Sequence, residues 1–268
     1  MANTLHSLSR SAANNKSDVL KGTPHDDVLH GSLGHTKFYG GLGDDIYYSK
    51  NAGDTIVEYA NEGNDTVYAD TTFTLPTHVE NLTLEGNGNT FGFGNNSNNI
   101  LIGNSGNNRL SGEDGNDFLY GMGGNDTLSG GNGNDHLNGG DGDDYLAGGS
   151  GSDTIITGEG KDTVAFTASD IREGSIDRVV EFDPNTDKLD LSGMRSLLTG
   201  SNANLSWSKM FVDKDPEVIL QKDHPYLIFD TEQQTLAYRA AGSSSSTVFA
   251  KFDSDDPSKW LDASNIIG

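Results

Sequence analysis

Cysteine is absent from the 268-residue chain, so neither a disulfide framework nor a thiolate metal centre is available to it. Apolar residues are also few, at 33%. Globular domains carry about 45–50%, a range that also counts glycine, so much of this chain has no conventional core. No apolar run approaches the roughly 18 residues of a membrane-spanning helix. The segment Met1 to Lys21 is polar and lacks the stretch of about 7–15 apolar residues at the centre of a secretory signal. Positive charge is scarce as well: 17 Lys and Arg face 40 Asp and Glu, a net charge of -23. That balance excludes nucleic acid and anionic lipid as partners. A compact state with so much negative charge repels itself, so a cation is missing from the count.

Glycine is in excess, at 35 residues, and it falls in a repeat. From Gly94 the chain runs in consecutive blocks of nine that begin at Gly94, Gly103, Gly112, Gly121, Gly130, Gly139, Gly148 and Thr157. The sixth position is Asn99, Asn108, Asp117, Asp126, Asp135, Asp144, Asp153 and Asp162; the eighth is always Leu, Ile or Val. The fourth is Gly in most copies, among them Gly133, Gly142 and Gly151. A weaker series begins at Gly22, Gly31, Gly40 and Ser49, with Asp27, Thr36, Asp45 and Asp54 at position six. Glu58 and Tyr59 interrupt it, and a further copy starts at Ala60.

The spacing has a mechanical meaning. Glycines allow φ > 0 and a tight turn, whose carbonyls point inward beside the position-six carboxylate. The lone aliphatic residue, flanked by polar ones, makes a very short strand with one inward side chain. One nonad is a turn and a strand, and two make a coil, so turns 18 residues apart stack on one edge. Stacking then pairs Asp117 with Asp135, Asp126 with Asp144, Asp135 with Asp153, and Asp144 with Asp162. Such oxygen cages suit Ca²⁺, whereas Zn²⁺ wants His or Cys. One buried apolar side chain per nine residues falls far short of the entropy of ordering those nine, so this stretch is expected to be disordered until the ion binds. The candidate ligands are the six Asp from Asp117 to Asp162, Asn99 and Asn108, and the turn glycines Gly112, Gly121, Gly130, Gly133, Gly139, Gly142, Gly148 and Gly151. Asp27 and Asp45 extend the set into the first block.

The copies Gly130 to Leu137 and Gly139 to Leu146, read as Gly-Gly-x-Gly-x-Asp-x-Leu, resemble the RTX, or hemolysin-type, calcium-binding repeats of proteins exported by type I secretion. Leu75 to Leu84 is similar to the segment that often precedes a long repeat block. Asp177 to Ser192 is similar to the segment that follows the repeats in serralysin-type secreted proteins. The resemblance implies a secreted, extracellular or cell-surface protein, the type I secretion apparatus as a partner, and an uncleaved export signal in the last fifty or so residues.

The expected fold is all-β: a right-handed parallel β-roll, or β-solenoid, of nonapeptide repeats with a C-terminal β-rich cap. The expected divisions are a flexible segment 1–21, degenerate repeats 22–68, irregular β coils 69–93, the regular roll 94–165 and the cap 166–268 with its secretion signal. Tyr226 to Asp230 and Thr235 to Tyr238 read as a hairpin. No catalytic constellation is visible. The seven His form no His-Glu-x-x-His, and no Ser sits in Gly-x-Ser-x-Gly. The expected function is a non-enzymatic, secreted protein or module that folds on several Ca²⁺ ions after export. Its alternatives are the non-catalytic C-terminal part of a larger secreted protease, lipase or polysaccharide epimerase, and the end of a glycan-binding adhesin. Outward aromatics such as Phe118, Tyr120 and Tyr145 make extracellular polysaccharide a candidate partner.

Overall fold

The computed structural model describes residues 3–6, 18–172, 175–194, 197, 211–212, 226–230, 233–240, 243, 245–253 and 266–267. The chain divides into two compact units, Met1–Thr127 and Leu128–Gly268.

The first unit is a parallel β-solenoid. One sheet stacks Asn3–His6, Asp27–His30, Ile46–Ser49, Thr66–Ala69, Asn81–Leu84, Ile100–Ile102 and Phe118–Tyr120 in that order, all parallel. A second holds Phe73–Thr74, Phe91–Phe93 and Arg109–Asp114, and a third Asp18–Lys21, Thr36–Tyr39 and Thr55–Val57. The inward residue of each strand stands on the inward residue of the next coil: Leu20 on Phe38 and Phe38 on Ile56. Where the period of nine holds, the partners are 18 apart, as Leu29 and Tyr47 or Leu101 and Leu119. The insertion at Glu58 and Tyr59 lengthens one coil, so that Tyr47 faces Val67. The irregular stretch shortens the next, and Val67 faces Leu82. The strand ladder thus absorbs coils of different length by letting turns grow and shrink. Asp18–Lys21 lies one nonad before the first copy legible in the sequence, with Asp18 and Leu20 at positions six and eight of that register.

Burial follows the alternation that a pleated strand dictates. Leu29, Phe38, Tyr47, Val67, Leu101, Leu110 and Leu119 are fully buried. On the outer side, His30, Tyr48 and Tyr68 stack ring on ring at 4.4 and 5.1 Å between centroids. Their faces therefore cover one another and only ring edges meet the solvent.

The second unit begins with the same construction. His136–Asp141, Thr154–Glu159 and Asp177–Val180 are parallel neighbours, and Thr127–Asn132, Tyr145–Ser150, Thr163–Thr167, Lys188–Gly193 and Ile266–Ile267 form a second sheet. Past the last repeat the pattern changes. Thr247–Asp253 adds to Asp177–Val180 in parallel, then Thr235–Arg239 and Tyr226–Asp230 pair antiparallel, and Phe211–Val212 follows. Phe249, Phe252, Leu227 and Leu236 are buried there. Phe166 meets Phe249 edge-on at 5.4 Å. The expected C-terminal export signal, in the last fifty or so residues, falls partly outside the described residues. Among the described residues, no helix is long and apolar enough to cross a membrane.

Candidate metal centre

The position-six residues form ladders along the edges of each unit. The backbone N–H of each donates to a side-chain oxygen of its counterpart one coil on. Asn99 donates to Asp117 Oδ1 and Asn108 to Asp126 Oδ1, both at 2.6 Å. Asp135 donates to Asp153 Oδ1 at 2.8 Å, and Asp144 to Asp162 Oδ1 at 2.9 Å. In the first block Asp27 donates to Asp45, and Thr36 to Asp54, each at 2.7 Å.

These ladders include Asp65, from the copy at Ala60, and three residues that the repeat pattern did not single out, Glu80, Asp177 and Asp187. Asp45 donates to Asp65 and Asp65 to Glu80, each at 2.8 Å. Asp153 donates to Asp177 and Asp162 to Asp187, each at 3.0 Å. All of them keep the spacing acid-x-aliphatic: Asp65 to Val67, Glu80 to Leu82, Asp177 to Val179, Asp187 to Leu189. The paired glycines of positions one and two are gone from these turns, so a search keyed on Gly-Gly passes over them.

One oxygen of each accepting carboxylate is thus spent on the ladder, whereas Asp27 accepts no ladder bond. The fate of the other sorts the turns into two kinds. In closed turns the chain itself supplies the partner. Asn99 Oδ1 accepts from the N–H of Asn95 at 2.7 Å, and its Nδ2 donates to the carbonyl of Glu80 at 3.1 Å. Asn108 repeats this with the N–H of Asn104 at 2.7 Å and the carbonyl of Thr90 at 3.2 Å. Asp54 Oδ2 accepts from Ser49 Oγ at 3.0 Å and from the N–H of Lys50 and Asn51 at 3.1 Å. Asp27 Oδ2 accepts from the Thr23 N–H and hydroxyl, while its Oδ1 is buried without a partner. The closing group is always the N–H of position two.

In open turns that N–H is withdrawn. Asp45, Asp153 and Asp162 each keep Oδ2 buried with no hydrogen-bond partner. Their position-two residues, Gly41, Gly149 and Gly158, have φ of 104°, 106° and 94°. Asp65 follows the same rule, with Asn61 at φ 65° and its Oδ2 unpartnered. Left-handed φ at position two rotates the peptide between positions one and two and takes its N–H off the carboxylate. In the closed turns Thr23, Ser32, Lys50, Asn95 and Asn104 stay out of that region. The turns of Asp117, Asp126, Asp135 and Asp144 share the left-handed geometry, through Glu113 (79°), Met122 (78°), Gly131 (119°) and Gly140 (98°). Glu113 and Met122 hold it without the freedom of glycine.

Position one faces the same oxygens. A Cβ on Gly130 would stand 2.2 Å from Asp135 Oδ2 and 2.4 Å from the carbonyl oxygen of Gly148. On Gly139 it would stand 2.4 Å from Asp144 Oδ2, and on Gly148 2.2 Å from Asp153 Oδ2. Gly94 and Gly103 face the carbonyls of Gly112 and Gly121 at 2.5 and 2.6 Å. Position four, at Gly133, Gly142 and Gly151, is left-handed at 130–133°. The nearest atom to a Cβ at each of these position-one glycines is an oxygen.

Burial pushes Asp153 and Asp162 up to about 7 and Asp177 up to about 8, against the lowering effect of the ladder hydrogen bonds. Buried, unpaired negative charge of this kind calls for a cation. The donors are hard oxygens, one carboxylate per turn plus carbonyls, which fits Ca²⁺. Among the described residues no three His, Cys, Asp or Glu side chains converge to hold a metal ion, so a cation at these turns takes backbone carbonyls beside the carboxylates.

Parallel coils with such turns define a calcium-binding β-roll. Residues 13–47, 21–56, 93–128 and 129–164 match the RTX calcium-binding nonapeptide repeat, in four copies. These stretches are RTX repeats, and the chain is a β-roll module that takes several Ca²⁺ ions. Over 85 residues it is 40% identical to the endo-1,3-1,4-beta-glycanase ExsH of Rhizobium meliloti (strain 1021). That match covers 31% of this chain and 18% of the glycanase. The solution structure of the AlgE6R3 subunit from the Azotobacter vinelandii mannuronan C5-epimerase is similar over 65% of this chain and 80% of that one, at 21% identity and a TM-score of 0.33.

Proposed function

We propose that the chain is a non-catalytic module of an exported protein, folded outside the cell by Ca²⁺ held at its open turns. The ligands are Asp45, Asp117, Asp126, Asp135, Asp144, Asp153 and Asp162, with position-one carbonyls such as those of Gly112, Gly121 and Gly148. Asn99, Asn108 and Asp54, whose side-chain oxygens the chain already satisfies, close the turns they occupy. The observation that carries this is the partnerless, buried Oδ2 of Asp153 and Asp162 beside oxygen-lined glycines.

The same chemistry supports export through a type I apparatus. Cytosolic Ca²⁺ lies far below the roughly 0.1–1 mM affinities of extracellular calcium modules, so the roll stays unfolded inside and passes a narrow exporter as an open chain. Outside, Ca²⁺ folds it and prevents return by mass action. A second reading, that the module is the non-catalytic part of a larger polysaccharide-active enzyme, is favoured by the likeness to the glycanase. The second reading places extracellular polysaccharide near the module.

The test of export is co-expression with a type I exporter of the full chain and of a chain ending at Asp253. Export of the full chain alone is the expected result; equal export of both refutes a signal beyond Asp253.

A further inference from the structure

The most acidic interior point of the first unit lies where the repeat breaks. Counting nine from Ser49 reaches Glu58, which stands at position one, the place of glycine in the regular turns. The two-residue insertion, which sets Tyr47 opposite Val67, makes room for its side chain. Gly22 and Gly40 show what changes. A Cβ on Gly22 would face the carbonyl oxygen of Gly40 at 2.2 Å; a Cβ on Gly40 would instead face Glu58 Oε1 at 2.6 Å and Asp45 Oδ2 at 2.0 Å. A carboxylate has taken the place that a carbonyl holds one coil earlier.

Glu58 is held there. Its Oε1 accepts from the N–H of Gly40 at 2.9 Å and from the hydroxyl of Tyr47, a phenol buried where the neighbouring nonads carry the apolar Leu29, Phe38 and Ile56. Its Oε2 is buried with no partner, as are Oδ2 of Asp45 and Oδ2 of Asp65. Asp45 and Asp65 are fully buried and Glu58 is 6% exposed. Among the described residues, none of the three makes an ion pair with Lys, Arg or His. Burial and the neighbouring carboxylates push Asp45 up to about 7 and Asp65 up to about 8, and burial raises Glu58 too.

We propose that Asp45 and Glu58 form a two-carboxylate site for a divalent, oxygen-preferring cation of the Ca²⁺ class, flanked by Asp65 and positioned by the Tyr47 hydroxyl. This rests on the calcium-binding reading of the roll but differs from the regular turns in its ligands: a side chain at position one replaces a backbone carbonyl. Two buried carboxylates beside Gly40 with unpartnered oxygens and no counter-charge are stable together as anions only when a cation joins them. All donors are hard oxygens, which selects Ca²⁺ over zinc. The unit therefore takes an ion in its degenerate block, between the glycine-rich turn of Asp45 and a following coil that carries Glu58 in place of the position-one glycine.

The experiment counts Ca²⁺ ions on the full chain by native mass spectrometry, for the wild type, Glu58→Gln and Asp153→Asn, with far-UV circular dichroism to confirm folding. The expected result is one ion fewer in Glu58→Gln with an unchanged spectrum at saturating Ca²⁺. A wild-type count in Glu58→Gln beside a lowered count in Asp153→Asn overturns this site alone; no Ca²⁺ on the wild type overturns the β-roll reading with it. Should Glu58→Gln fail to fold, Tyr47→Phe keeps the core ring. Terbium luminescence excited through tyrosine then falls in Tyr47→Phe if the ion lies beside that phenol, and unchanged luminescence overturns the proposal.

Discussion

The backbone amide of Asp144 donates to Oδ1 of Asp162, 2.9 Å away and one full coil on. That bond turns one carboxylate oxygen along the ladder and leaves Oδ2 of Asp162 buried without a partner. One side chain thus stitches two coils together and presents an oxygen to whatever cation fills the turn. Folding and ion binding are coupled at the same residue.

The open and closed turns respond differently to mutation. Asp153→Ala removes an open carboxylate and is expected to weaken Ca²⁺ binding by at least about tenfold, the scale on which even outer partners of a metal act. Asp54→Ala removes a carboxylate whose oxygens are all bonded within the chain. It is expected to leave Ca²⁺ affinity unchanged while costing about 1–3 kcal/mol of stability, as buried donors lose their acceptor. Calorimetric titration and thermal melts in saturating Ca²⁺ separate the two.

Met122 and Glu113 hold left-handed φ of 78° and 79° where later repeats place glycine. Backbone strain of this kind costs on the order of 1–3 kcal/mol and collects at functional sites. Met122→Gly relieves it, less the roughly 0.5–1 kcal/mol entropic cost of glycine. The calcium-loaded melting temperature is expected to rise in Met122→Gly, and to fall in Gly149→Val, which puts a branched side chain at 106°.

The pH response follows from burial. Asp153 and Asp162 sit at about 7 when folded, against about 3.9 in an unfolded chain. Between those values the folded state binds more protons, so stability without Ca²⁺ falls as pH rises through that window. In chelator the roll is expected to hold more β structure at pH 5 than at pH 8. With Ca²⁺ the sign of the binding response is opposite: the ion needs ionised carboxylates, so affinity weakens on acidification. Circular dichroism and calcium titration at the two pH values check both halves.

Much of this was legible because the period of nine survives: Leu101 to Val164 keep position eight without a slip, and each is fully buried. The first block was harder, since Thr36 and Tyr47 depart from the pattern, yet both stand in register. Asp65 is legible as position six of the copy at Ala60, whereas Glu80, Asp177 and Asp187 lie in turns without the Gly-Gly of positions one and two, and only the acid-x-aliphatic spacing marks them. Asn99 and Asn108 drew notice as ligands through their position. A change from oxygen to NH₂ at one branch of the side chain converts a ligand into a donor to the carbonyls of Glu80 and Thr90. Which peptide flips at position two is a backbone property that composition does not display, as Met122 shows.

The most direct measurement is far-UV circular dichroism of the full chain in chelator, followed by Ca²⁺ titration to about 10 mM, above the roughly 0.1–1 mM affinities of extracellular modules. The predicted result is a cooperative gain of β signal, moved to at least about tenfold higher Ca²⁺ in Asp153→Ala and unmoved in Asp54→Ala. A chain fully folded in chelator, with a spectrum that Ca²⁺ leaves unchanged, would contradict a roll built on ions.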